Sequence, residues 1–96
     1  RLVGSAQGEL QANTCRENRI GIAATDQSRL TARTNLCREN ALSGIYVGDT
    51  AFGELEANLC AENKGYGIFY VIPAVVFLKN NVCYDNPEGN ISGARK

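Results

Sequence analysis

The sequence contains no histidine, no methionine and no tryptophan, and only two of its 96 residues are proline. Without histidine the chain lacks the usual base of a Ser-His-Asp triad and the commonest protein ligand for metals. Ten basic residues balance ten acidic residues, so no basic field draws nucleic acid or an anionic membrane. No apolar run reaches the ~20 residues that a membrane-spanning helix requires. The composition is therefore that of a small domain with no net charge and few aromatic residues.

The pattern Asn-x-Cys-x-x-Asn occurs four times, and its cysteines are separated by 22, 23 and 23 residues. A fixed period in the low twenties is typical of a solenoid, in which each repeat stacks on its neighbours. A Gly-Ile pair follows each of the first three copies, and residues 3–13 are echoed by residues 47–58. The sequence therefore predicts one domain over residues 1–96, with about four coils of 22–23 residues.

Each repeat divides into three short extended runs separated by turns. In the third repeat these runs are residues 44–47, 54–57 and 59–61. The alternation of apolar and polar residues is typical of half-buried strands. It predicts that Ile45 and Val47 point inwards while Tyr46 points outwards, and that Leu55 and Ala57 point inwards. The apolar run 68–78, broken by a proline, is interpreted as a strand, a turn and a strand.

Asparagine ends the second and third runs of each repeat. Because asparagine tolerates a left-handed backbone better than other non-glycine residues, we expect it to turn the chain at these corners. Three strands per coil with turns at asparagine describe a parallel β-helix. The rival at this period is the leucine-rich repeat, but asparagine stands where its second leucine should be and no helix-forming segment follows.

The full pattern N-x-C-x-x-N-x-x-x-G-I-x-V resembles the right-handed β-helix repeats of the pectate-lyase-like superfamily. It is most similar to the degenerate repeats of carbohydrate-binding and sugar-hydrolase-type domains and of some F-box proteins. The resemblance implies an all-β, right-handed, single-stranded parallel β-helix with three short strands per coil. It says little about activity, because this fold hosts lyases, hydrolases, epimerases and inert scaffolds.

The four cysteines should stack about one strand separation apart, with their side chains pointing into the core. We expect a ladder of reduced thiols that act as small buried hydrophobes, although redox sensing or soft-metal binding are alternatives. No C-x-x-C pair or histidine completes a zinc site. Unpaired thiols favour a cytoplasmic location, and the compartment is otherwise unknown. The predicted ladder consists of Cys15, Cys37, Cys60 and Cys83.

The asparagines should form two further ladders, one at each of two corners, with amides that hydrogen-bond along the column. We interpret both ladders as structural. The first consists of Asn13, Asn35, Asn58 and Asn81, and the second of Asn18, Asn40, Asn63 and Asn86.

An acidic column precedes the second asparagine ladder, at Glu17, Glu39, Glu62 and Asp85. Like charges on neighbouring coils repel one another, and Arg16 and Arg38 offer partial relief. A calcium site would find few ligands here, so we predict no metal and no cofactor.

The candidate ligand-binding residues are aromatic. Tyr46 and Phe69 should align on one outer strand face, with Tyr66 and Asp49 in nearby turns. Aromatic side chains in register suit stacking against sugar rings or packing against a protein.

We expect no catalytic residues in this segment, because the outward positions of that face are uncharged and no convergent carboxylate pair follows from the spacing. The sequence thus favours a non-catalytic scaffold that binds a glycan or a protein. The alternative is a fragment of a polysaccharide lyase, hydrolase or epimerase whose catalytic coils lie elsewhere. The start within a repeat and the missing methionine suggest a longer parent chain, whose remaining coils, or other copies of the chain, would cover the open ends.

Overall fold

The computed structural model describes residues 1–95 and shows only strands, turns and loops there. Within these residues no helix is long and apolar enough to cross a lipid bilayer. The strands are β1 (Gln7–Gln11), β2 (Thr14–Arg16), β3 (Ile20–Ala24), β4 (Arg29–Arg33), β5 (Leu36–Arg38), β6 (Ser43–Val47), β7 (Phe52–Glu56), β8 (Leu59–Ala61), β9 (Tyr66–Ile72), β10 (Val75–Lys79), β11 (Val82–Tyr84) and β12 (Gly89–Arg95).

Three consecutive strands make one coil, and equivalent strands of the four coils pair in parallel. The first sheet has the order β1-β4-β7-β10, the second β2-β5-β8-β11 and the third β3-β6-β9-β12. Leu2 adds a parallel bridge to Ala24 beside the third sheet. The all-β solenoid of about four coils with three strands each, predicted from the period of the cysteines, is confirmed.

The core lies between the three sheets and is made of inward-facing aliphatic residues in register. Ile22, Ile45 and Ile68 form one fully buried column of the third sheet. Burying such a side chain contributes roughly 1.5–3 kcal/mol, so this column is a main source of stability. Val47 is also buried while Tyr46 points outwards, which confirms the alternation predicted for β6.

Large and small residues alternate down the inner face of the first sheet over the first three coils. Leu30 pairs with Gly53, and Ala32 pairs with Leu55 on the next coil. The side chain of a leucine therefore lies over the space left by a glycine or an alanine. This packing determines which coils can be neighbours in the stack.

The corners differ from the sequence prediction in one respect, because the left-handed residue is the one before each asparagine. These residues are Ala12, Glu17, Thr34, Glu39, Ala57, Glu62, Asn80 and Asp85, with φ between 53° and 60°. A non-glycine residue in this region costs roughly 1–3 kcal/mol, and it persists only where the surrounding structure imposes it. Here the turn directs the following asparagine side chain inwards, where its amide makes the bonds described below.

The same turn explains a second correction. Ala57 was predicted to point inwards, but it is exposed because strand β7 ends at Glu56 and Ala57 occupies the left-handed corner. The inward positions of β7 are Gly53 and Leu55. The run 68–78 does form a strand, a turn and a strand, as β9 and β10.

Candidate functional site

The inner members of the asparagine ladders use their amides within the fold. Asn58 Oδ1 accepts hydrogen bonds from both the backbone N–H and the Nδ2 of Asn35, at 3.0 Å each. Asn35 Nδ2 also donates to the carbonyl of Leu10 at 2.8 Å. The inner asparagines of both columns are buried, as predicted. The two asparagine ladders are therefore confirmed, and their amides replace the backbone bonds that the corners interrupt.

The cysteines lie opposite one another in the paired strands of all four coils, and each is a free thiol. Cys37 and Cys60 have no exposed surface, whereas Cys15 and Cys83 are half-buried because they lie in the first and last coils. The cysteine ladder thus runs through all four coils, and its two end members, which are partly buried, pack against the core. Hydrogen bonds with Cys37 and Cys83, together with burial, raise the pKa of the Cys60 thiol above its usual range.

A glycine column packs directly against the cysteines and the second asparagine ladder. A Cβ at Gly44 would lie 2.8 Å from the Gly67 carbonyl oxygen and 3.2 Å from the Cys37 Cβ. Gly21 and Gly67 stand in the same relation to Cys15 and Cys83. The glycine of each Gly-Ile pair is thus required by close backbone approach.

Two of the four acidic residues at the corner form ion pairs with arginines from the preceding coil. Arg16 Nη2 lies 2.7 Å from Glu39 Oε1, and Arg38 makes the equivalent ion pair with Glu62. Ala61 occupies the next position in the arginine column, so Asp85 receives no such partner from it. No group of three or more cysteine, aspartate or glutamate side chains within residues 1–95 is arranged to hold a metal ion.

The structure brings three of the four candidate ligand-binding residues together on the outer face of the third sheet. Tyr46 and Phe69 pair in register and their rings stack, with centroids 5.9 Å apart. Tyr66, at the start of β9, stacks on Phe69 at 4.3 Å and an interplanar angle of 17°. All three rings are partly exposed. They form a continuous aromatic stack on the solenoid surface.

This stack lines a groove of about 300 Å³, which we call the aromatic groove. Its walls are Ile20, Leu42, Ser43, Tyr46, Tyr66, Phe69 and Glu88. A second groove of about 390 Å³ adjoins it through Ile20, Leu42 and Tyr46, and includes Arg19. The combined surface is apolar in the middle, with the carboxylate of Glu88 in one part and the guanidinium of Arg19 in the other. Few polar groups around an apolar floor are typical of small-ligand sites.

Asp49, the fourth candidate, does not line the aromatic groove. It lies at the corner after β6, in a left-handed conformation with φ of 56°. Its Oδ2 accepts a hydrogen bond from the Asp26 backbone N–H at 2.9 Å, and Asp26 Oδ2 accepts one from the Gly4 N–H at 2.8 Å. The aspartates therefore cap successive turns, which is a structural use of this side chain.

A polar surface on the first sheet was missed by the sequence reasoning. Glu9, Thr31 and Glu54 form one outward column there. Beside it the Arg29 guanidinium lies 5.1 Å from the centre of the Phe52 ring, within cation–π range. These residues border a groove of about 370 Å³. The echo between residues 3–13 and 47–58 already aligned Glu9 with Glu54, but the contribution of β4 required the register of all three coils.

The comparison with protein families agrees with the geometry. A family model described as "Right handed beta helix region" matches residues 1–94. The chain belongs to this right-handed β-helix family, which establishes the handedness of the solenoid and is consistent with the pectate-lyase-like superfamily. No curated protein and no solved structure gave a significant match.

Proposed function

We propose that this chain is a non-catalytic β-helix module, a rigid scaffold that presents the aromatic groove to a glycan partner. The observation that carries the proposal is the stack of Tyr46, Phe69 and Tyr66 in one groove on an outer sheet face. Aromatic rings beside a few polar groups suit the alternating apolar and hydroxylated surfaces of a sugar.

Rigidity follows from how each coil is fixed to the next. Each asparagine corner of the two inner coils is held by amide bonds to both neighbouring coils, as at Asn58, which bonds to Asn35, Asn81 and the Ala32 carbonyl. Side chains that stand on regular strands are positioned more accurately than side chains on loops. The aromatic groove therefore presents a preformed surface, which reduces the ordering cost of binding.

A protein could use the same surface, since exposed aromatic residues are also enriched in protein interfaces. The glycan is favoured by the dimensions of the groove. At about 300 Å³ it matches the lower end of the ~300–1,000 Å³ that small-ligand sites occupy.

The second candidate function is a fragment of a polysaccharide lyase, hydrolase or epimerase. The observation that favours it is the column of Glu9, Thr31 and Glu54 on the first sheet. Two strand separations put the backbones of these glutamates roughly 9.6 Å apart. That is at the far limit of the ~6.5–9.5 Å between the carboxyl groups of inverting glycosidases. Catalysis at this place is therefore the weaker proposal.

Binding is tested on a glycan array with the wild-type chain, the Phe69→Ala variant and the Phe77→Ala variant. Phe77 is a matched control, because it is an exposed aromatic residue on the outer face of the first sheet. We expect at least a tenfold loss of signal for Phe69→Ala and no change for Phe77→Ala. Equal signals from all three proteins, with circular dichroism showing intact folds, would remove the aromatic groove as the binding site.

The same samples separate the two candidate functions. Incubation with the polysaccharides that bind should leave them intact, as measured by reducing ends and by ultraviolet absorbance of unsaturated products. Product release by the wild type that is lost in Glu54→Gln would show that the module is catalytic.

A further inference from the structure

The four sulfurs form a column in which each thiol faces the thiol of the next coil. The strands that carry the cysteines pair in parallel, with Cys15 opposite Cys37, Cys37 opposite Cys60 and Cys60 opposite Cys83. A Cβ added at Gly21, Gly44 or Gly67 would lie 3.3, 3.2 and 3.2 Å from the Cβ atoms of Cys15, Cys37 and Cys83, respectively. The cysteines therefore occupy nearly the same place in each coil, and neighbouring sulfurs are separated by about one strand spacing along the solenoid axis.

That spacing matches one particular kind of metal coordination. Parallel strands lie about 4.8 Å apart. Two metal–thiolate bonds of about 2.3 Å, placed in line, span about 4.6 Å. A two-coordinate ion thus fits between two neighbouring sulfurs without a change in the distance between the coils.

The number of ligands, their softness and their burial restrict which ion could bind between two of these sulfurs. Zinc requires four ligands, and no cluster of three or more potential ligands exists within residues 1–95. Thiolates prefer soft cations. The column is dry at Cys37 and Cys60, so a net charge there would carry a large desolvation cost. A divalent cation with two thiolates is neutral, whereas a monovalent cation with two thiolates leaves one negative charge.

We propose that the cysteine column binds two soft divalent cations of the Hg(II) type, one between Cys15 and Cys37 and one between Cys60 and Cys83. Each cation forms two metal–sulfur bonds and displaces two thiol protons to solvent, which leaves a neutral linear bis-thiolate. Each pair includes one half-buried cysteine, through which the ion enters. This inference is independent of the proposed function, which does not use the thiols.

Two double variants with the same number of thiols provide the decisive comparison. Cys15→Ala with Cys37→Ala retains the neighbouring pair Cys60 and Cys83. Cys15→Ala with Cys60→Ala retains Cys37 and Cys83, which are two coils apart. Each variant therefore keeps one buried and one half-buried thiol, and only their adjacency differs.

The reduced proteins are titrated with mercuric chloride in the presence of excess small monothiol, passed through gel filtration and analysed for bound metal. We expect two equivalents for the wild type, one for the variant with the neighbouring pair, and at least tenfold less than one for the variant with separated thiols. The monothiol removes ions held by a single sulfur, because only a two-thiol site has the benefit of effective concentration. Zinc chloride in place of mercuric chloride should give no retained metal.

Equal retention by the two double variants would overturn the proposal. If a double variant does not fold, the wild type still decides the matter. X-ray absorption of the folded, loaded chain should show two sulfur neighbours per mercury, and circular dichroism should retain its β-sheet spectrum. Binding that occurs only as the β-sheet spectrum is lost would show that the column has a packing role alone.

Discussion

Asn63 Oδ1 accepts two hydrogen bonds from Asn40, one from its backbone N–H at 3.1 Å and one from its Nδ2 at 2.8 Å. Asn40 Nδ2 also donates to the Cys15 carbonyl at 3.1 Å, so a single buried amide joins three consecutive coils. Each of these polar groups is costly to bury without its partner, which makes the ladder a requirement of the fold.

The first prediction concerns this amide. Asn40→Ala should lower the free energy of unfolding by about 3 kcal/mol or more, because it leaves several buried groups unpaired at about 1–3 kcal/mol each. Asn18→Ala is the matched control, since Asn18 heads the same column but is exposed. It should cost less than about 1 kcal/mol. Urea denaturation measures both values, and similar losses for the two variants would contradict the ladder's role.

The second prediction concerns the glycine column. Gly44→Ala should destabilise the chain by roughly 1–3 kcal/mol, because the new Cβ would lie 2.8 Å from the Gly67 carbonyl oxygen. At Gly53 the nearest atom to a new Cβ is a Val47 methyl group at 3.2 Å. Gly53→Ala should therefore be the milder change. Thermal unfolding of both variants tests this order, and a larger loss for Gly53→Ala would refute it.

The third prediction follows from the raised pKa of the Cys60 thiol. A thiol whose pKa is higher in the folded state keeps its proton there, while the unfolded state loses it above pH 9.0, the ordinary value. The contribution of Cys60 to stability is therefore constant below that pH and falls above it, by up to about 1.4 kcal/mol per pH unit. Hydrogen bonds with Cys60 lower the pKa of the Cys37 and Cys83 thiols, and contributions of that sign change only below pH 9.0. Burial also raises the pKa of the Cys15 thiol, which adds to the decline.

Urea denaturation at pH 8 to 10 measures this decline, and the Cys60→Ala variant is the control. The variant will be less stable at every pH, but its curve should be flatter above pH 9.0. Curves of equal slope for the two proteins would show that Cys60 does not titrate on unfolding.

The fourth prediction concerns self-association. Within residues 1–95, the last coil leaves one edge of each sheet unpaired and exposes Val75, Phe77 and Val82, of which Phe77 has 60% of its surface accessible. Unpaired strand edges recruit other strands. We propose that a protein consisting of residues 1–96 forms oligomers, and that Val82→Lys weakens them. Sedimentation at tens of micromolar is the measurement, and a monodisperse wild-type monomer is the contrary result.

The fold could be predicted because its information is periodic. Once the cysteines are aligned, every strand and both asparagine ladders follow, since a parallel β-helix stacks equivalent positions. The residues at the corners could not be assigned in the same way. Propensity alone assigns the left-handed backbone to an asparagine such as Asn35. In the structure that backbone belongs to the residue before the asparagine, as at Ala57.

The candidate site was predicted in part. The alignment of Tyr46 with Phe69 follows from the register, but the stacking of Tyr66 on Phe69 depends on side-chain rotamers that no repeat specifies. Asp49 was assigned to the site because it is nearby in sequence, and the structure uses it to cap a turn. The polar column of Glu9 and Glu54 spans coils 1 and 3, so no single repeat displays it.

The pairing of Leu30 with Gly53 and of Ala32 with Leu55 has a consequence for how such a chain can grow or shrink. Removal of the second coil alone would place Gly8 against Gly53, which leaves a void in that column. It would also place Leu10 against Leu55, the same leucine–leucine pairing that Leu55 makes with Leu78 in the last two coils. Removal or insertion of two coils keeps the alternation. In the column of Gly8, Leu30, Gly53 and Val76, the packing unit is therefore a pair of coils, about twice the period that the cysteines display.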